Sequence, residues 1–243
     1  MHGFANPARF LRLARALTAP FLLAGSAIAV LTLIWALFAA PAEALQGDSV
    51  RILFIHVPAA WLGMGAWSAI AIASLTELVW RHPLAGIAAR AVALPGAFFA
   101  ALCLITGSLW GRPAWGTWWV WDGRLTSMLV LLFLYLAYMA LADAANRDGD
   151  GSSRIPAIFG LVGAVNIPII HYSVLWWNSL HQPPSITMGK SAMAPEFLWG
   201  LLIATIGFSL LFGGIVLARM RTILADQQAE ARLRRRAMEQ SDA

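Results

Sequence analysis

Residues 21–40 read FLLAGSAIAVLTLIWALFAA, twenty positions without a charge. At a rise of about 1.5 Å per residue, such a block crosses the roughly 30 Å of a bilayer's hydrocarbon as one helix. Comparable apolar runs, bounded by charge, proline or glycine, follow it along the chain. They predict spans near 21–40, 58–79, 91–110, 125–142, 155–175 and 197–218. The whole chain of 243 residues is 60% hydrophobic and only 12% charged, about half the charged fraction of a soluble domain. A water-soluble globule is excluded. The expected fold class is an all-α integral membrane protein, a six-transmembrane-helix bundle forming a single polytopic domain over residues 1–243. No repeat or low-complexity segment suggests a duplicated transporter.

Charge orients the bundle. Arg9, Arg12 and Arg15 precede the first span, Arg81 and Arg90 lie in the second loop, Arg147 and Arg154 in the fourth, and six arginines follow the last span. These thirteen face four on the opposite side, Arg51, Arg112, Arg124 and Lys190. By the positive-inside rule both termini are expected in the cytoplasm, with loops one, three and five outside. The first block lacks a small-residue cleavage site and is expected to be retained as a helix. The basic excess belongs to this topology and not to nucleic-acid binding. The fourth loop, 143–154, is rich in Asp, Asn, Gly and Ser and reads as a solvated turn. The tail, about 220–243, mixes acids with arginines, lacks breakers and reads as a cytoplasmic helix.

The outward third loop is unusual. Between Trp110 and Arg124 the chain reads WGRPAWGTWWVWDGR, which contains Trp110, Trp115, Trp118, Trp119 and Trp121, five of the protein's 12 tryptophans. An interfacial aromatic belt is the simplest explanation for tryptophans at helix ends. Here they are dense, Gly116 permits close backbone approach, and Asp122 and Arg124 close the run. That suits a large, flat, apolar ligand with charged appendages. Three histidines are also placed outward: His56 just before the second span, His171 near the outer end of the fifth, and His181 beyond it. His2 and His82 read as solvated. Two neutral imidazoles flanking such a segment can supply both axial positions of a haem iron, and Arg51, Arg124 and Lys190 are candidate partners for its propionates. Spacing alone does not choose between His171 and His181.

Other chemistry is poorly represented. There is no GxxxxGK[ST] loop for ATP, no GxGxxG fingerprint, no HExxH and no cysteine cluster for zinc. The single cysteine, Cys103, reads as a small core residue.

The run WGTWWVWDGRLTS, residues 115–127, resembles the tryptophan-rich "WWD" segment of haem-handling proteins in cytochrome c biogenesis. Together with the length, the six spans, HVPAAW around His56 and WWNSLHQPPSI around His181, it is similar to the CcmC family over nearly the whole chain. The resemblance implies His56 and His181 as axial ligands of a non-covalently held haem b. It implies a periplasmic platform of Trp115, Gly116, Trp118, Trp119, Trp121 and Asp122, with basic residues at Arg51 and Arg124. It also implies delivery of haem to the chaperone CcmE beside CcmA, CcmB and CcmD, in the bacterial inner membrane, with ATP hydrolysed by a partner subunit. Gly123 stands where the family pattern has alanine and is expected to loosen the turn. Two other readings are a membrane cytochrome b electron-transfer subunit, which would want its histidines within the spans, and a transport subunit that binds no haem.

Overall fold

The structure, a computed structural model, describes residues 6–147, 154–177, 179–181, 185–187 and 190–241. Its helices are α1 (Pro7–Phe38), α2 (Leu53–Trp80), α3 (Ala85–Trp115), α4 (Gly123–Arg147), α5 (Arg154–Gly163), α6 (Asn166–Trp176) and α7 (Pro195–Ser241). Six segments are long and apolar enough to cross a membrane, with α5 and α6 together forming the fifth. His2 and residues 148–153 of the fourth loop lie outside the described residues.

Local chemistry sets the helix ends. The Asn6 side chain accepts from Ala8 N at 2.9 Å and Pro7 fills the first helical position, which satisfies donors that have no intrahelical partner. Hydroxyls within the spans bond back onto their own helix: Thr32 Oγ1 reaches Ile28 O at 2.7 Å, so no free donor faces hydrocarbon there.

Small residues bring the helices together. A Cβ on Gly25 of α1 would stand 2.8 Å from Leu211 Cα of α7, so the two helices meet at backbone distance. α2 and α3 approach in the same way at Gly63 and Ala100. The core between them holds Phe54, Trp67, Ile70, Leu131 and Tyr135, all fully buried. The Tyr135 hydroxyl donates to Gly63 O at 2.6 Å, which ties α4 to α2 across an apolar interior.

The helix limits correct three expectations. The fifth span is broken at Ala164–Val165, where turns of the tighter i→i+3 type replace the α-helical ladder. Pro168 explains the break: it carries no N–H for the carbonyl of Ala164, and its ring crowds that carbonyl. The second helix starts at Leu53, after a short 3-10 turn (Asp48–Ile52), not at Pro58. Burial of Leu53 and Phe54 recruits those residues into the helix, and Pro58 is accommodated near its start. His56 therefore sits inside α2 and not before it. Finally, α3 continues five residues past its expected end, to Trp115, and carries Trp110 and Trp115 on a regular scaffold.

A candidate ligand site at one end of the bundle

The start of α2, the end of α3, the start of α4 and the chain after α6 meet at one end of the bundle. Gly116 ends α3 with φ of +78°, a left-handed conformation that glycine adopts without steric cost. The chain then turns through Trp118, Trp119 and Trp121 to Asp122. This carboxylate has two functions. Its Oδ1 accepts from Leu125 N at 2.8 Å, capping α4. Its Oδ2 lies 2.7 Å from His181 Nδ1 and also accepts from the Ser179 hydroxyl. Burial pushes the Asp122 carboxyl up, but the donors Ser179, Leu125 and His181 outweigh it and hold the group below its ordinary value. Burial holds His181 below the ordinary imidazole value, against the opposing pull of Asp122. The ring is therefore neutral near pH 7. With Nδ1–H donated to the carboxylate, the lone pair is at Nε2.

His56 is oriented by equivalent means. Its Nδ1 lies 3.1 Å from the Cys103 carbonyl and 3.1 Å from Thr106 Oγ1, and among the described residues the ring's hydrogen bonds all fall on that nitrogen. Gly107 makes room for the ring, since a Cβ there would stand 3.0 Å from His56 Cε1. Trp110 packs edge-on against His56 with centroids 5.7 Å apart, and its Nε1 donates to Gln46 at 2.8 Å. Trp115 packs edge-on against His181 at 4.6 Å. α3 links the two histidines: Cys103, Thr106 and Trp110 contact His56, and Trp115 contacts His181. Two imidazoles, from α2 and from the chain after α6, thus pack against the same end of α3, each held through Nδ1 and each backed by a tryptophan.

Other residues singled out in the sequence are distributed around this pair. Trp119 packs against Trp121 at 5.5 Å and its buried Nε1 has no partner among the described residues. Trp118 and Trp121 are 55% and 76% exposed, so both rings present broad apolar faces outside the bundle. Arg124, half-buried in the first turn of α4, donates to His171 O at 3.4 Å. Arg51 is engaged elsewhere: it donates to Leu37 O at 2.8 Å and Ala40 O at 3.0 Å and pairs with Asp48, where it neutralises carbonyls at the end of α1. The His171 ring is exposed and packs against Tyr172 at 4.7 Å. Lys190 lies exposed in a two-stranded hairpin (Ile186–Thr187 with Lys190–Ser191). A Cβ at Gly123 would stand 2.9 Å from the Trp177 ring and 3.0 Å from Ser173, so this glycine permits a close approach of α4 to α6.

Sequence reasoning missed Thr106, Gly107, Gln46 and Ser179, and gave Cys103 no part beyond packing. Ser179 is local to His181, but Cys103, Thr106 and Gly107 lie about fifty positions from His56 and Gln46 lies 64 from the Trp110 it binds, where no spacing rule reaches them.

A neutral imidazole with Nδ1 tied to a carboxylate or carbonyl is the usual state of a metal-ligating histidine. The fold and site thus define a multi-pass membrane protein with two imidazoles fixed through Nδ1 and a tryptophan-rich surface at one end of its bundle. The chain belongs to the CcmC family: the model of that family, described as Heme exporter protein C, matches residues 1–235. Curated relatives of the same name are similar over most of their length. The one from Bradyrhizobium diazoefficiens is 52% identical over 89% of this chain and 82% of its own. That from Escherichia coli K12 is 47% identical over 83% and 82%, and that from Paracoccus denitrificans 40% over 96% of each.

Proposed function

We propose that the chain handles haem in cytochrome c maturation, holding haem b non-covalently at the tryptophan-rich end of the bundle. His56 and His181 are the axial ligands through Nε2. The observation that carries this reading is the matched fixing of both Nδ1 atoms, by the Cys103 carbonyl and by Asp122, since that leaves the two ligating nitrogens neutral and unengaged. Trp115, Trp118, Trp119 and Trp121, with Gly116 at the turn, form the apolar platform. Aromatic contacts add about 0.5–1.5 kcal/mol per pair beyond burial. Arg124 and the unpartnered Trp119 Nε1–H are donors for propionates, while Arg51 fixes the loop that precedes His56.

Haem is cargo in this account, so the site must release what it binds. Its position at the helix ends, with exposed Trp118 and Trp121 rings, supports an open platform from which a macrocycle edge stays accessible. We assign the recipient as the chaperone CcmE, in a complex with CcmA, CcmB and CcmD, and the site to the periplasmic face of the inner membrane with both termini cytoplasmic. The thirteen-to-four division of basic residues supports that orientation. The test is transfer: haem-loaded chain mixed with purified CcmE and the partner subunits is expected to yield CcmE carrying covalent haem on a denaturing gel. Loaded chain that never labels CcmE, with all subunits present, would refute the delivery step.

A further inference from the structure

At the end of the bundle away from the imidazole pair, a cavity of about 500 Å³ lies between the end of α2, the start of α3, the end of α4 and the start of α5. Its lining includes Glu77, Arg81, His82, Arg90, Tyr138 and Arg154. The charges are layered. Glu77 and Arg90 are half-buried within it, while Arg81 and Arg154 are exposed at the rim. Glu77 is given its place by Gly86, where a Cβ would stand 2.9 Å from both carboxylate oxygens. Among the described residues Glu77 makes no ion pair with these arginines, and Arg90 reaches only Asn146, at 3.0 Å. Three guanidinium groups and one recessed carboxylate thus face a common space, and among the described residues none of the arginines is in ion-pair contact with the carboxylate.

We propose that this cavity binds the headgroup of phosphatidylethanolamine, its phosphate on the arginines and its ammonium on Glu77. The double charge of the headgroup is what the lining asks for: a phosphate alone would meet an unbalanced Glu77, and a cation alone would be repelled by three arginines. A lipid source fits the surroundings. Trp80, 69% exposed, adjoins Arg81 at the end of a membrane-length helix, the pairing that marks a membrane interface. Val79, Ile155 and Ile158 offer exposed apolar surface next to the cavity for acyl chains. Arg81 closes α2 with φ of +49°, a position where glycine is the usual residue, so the fold keeps a cation at the rim in spite of an unfavourable backbone.

The experiment uses the full chain in detergent, exposed to equal amounts of phosphatidylethanolamine, phosphatidylcholine and phosphatidylglycerol, with retained lipid weighed by native mass spectrometry. Wild type is expected to retain phosphatidylethanolamine over phosphatidylcholine, whose methylated ammonium cannot donate hydrogen bonds to Glu77. The substitution Glu77→Gln is expected to lower that preference about tenfold while phosphatidylglycerol retention holds. Arg81→Ala combined with Arg90→Ala should weaken all phosphate-bearing lipids together. Equal retention of the two zwitterionic lipids by wild type, a comparison that needs no variant, would overturn the proposal. So would displacement of the lipid by inorganic phosphate at matching concentration, which would make the cavity a free-anion site.

Discussion

Replacing His181 with alanine, or His56 with alanine, is expected to convert a low-spin six-coordinate haem spectrum into a high-spin five-coordinate one and to weaken haem retention about tenfold or more. Imidazole added to either variant should restore the low-spin spectrum, because the lost group is a neutral ring and the space it vacates is open to solvent or to the ligand. The two variants are not equivalent. His181 is carried by the chain after α6 and held by Asp122 and Trp115, so its removal leaves the bundle intact. His56 is packed on α3 against Gly107 and Trp110, and its removal also opens a gap between α2 and α3. A larger loss of thermal stability is therefore expected for His56→Ala. A haem spectrum indifferent to both substitutions would remove the histidines from the site.

The second large effect is expected at Asp122, because one side chain caps a helix and orients a ligand. Asp122→Ala should lose both functions: about 1 kcal/mol of stability from the missing cap of α4, and about 10–100-fold in haem affinity from the released His181 ring. Asp122→Asn separates them, since asparagine caps as well as aspartate but is a weaker acceptor for Nδ1–H. It should keep the cap, lose less of the thermal midpoint than Asp122→Ala, and lose affinity. The same pair sets a pH dependence. Asp122 is held below its ordinary value in the fold, so its contribution is complete above the unfolded carboxylate value and is lost as pH falls through the lower folded one. His181 is likewise depressed; below about pH 6.5 the unfolded chain takes up a proton that the folded ring refuses. Both groups make the unfolded state bind more protons, so stability falls with acid from about pH 6.5 downward. In Asp122→Ala the carboxylate part of that loss should vanish from a midpoint-against-pH curve.

What could be read from the sequence divides along a physical line. Residues 21–40 declare a span because every position in a lipid-facing helix is constrained to be apolar, and the same pressure exposes the other five. The bundle was therefore legible. The break at Ala164–Val165 was not, since Pro168 sits in an uncharged run long enough to span and its effect depends on whether the helix restarts after it. Likewise Pro58 reads as a helix start but lies within α2, because Leu53 and Phe54 find a core that no local pattern announces. The candidate site was half legible. Trp115, Asp122, His56 and His181 stood out by residue type, but the hydrogen bond from His181 to Asp122 joins residues 59 positions apart. The engagement of Arg51 with the end of α1 depends on how the first loop folds back, which composition does not encode.

The claim on which the rest stands is that His56 and His181 grip one metal centre from two sides, and the visible absorption spectrum of the purified wild-type chain after haem addition tests it most directly. A low-spin spectrum with the sharp α and β bands of a bis-imidazole haem on reduction is the expected result. A chain that retains no haem, or holds it with a high-spin five-coordinate spectrum, would contradict the account.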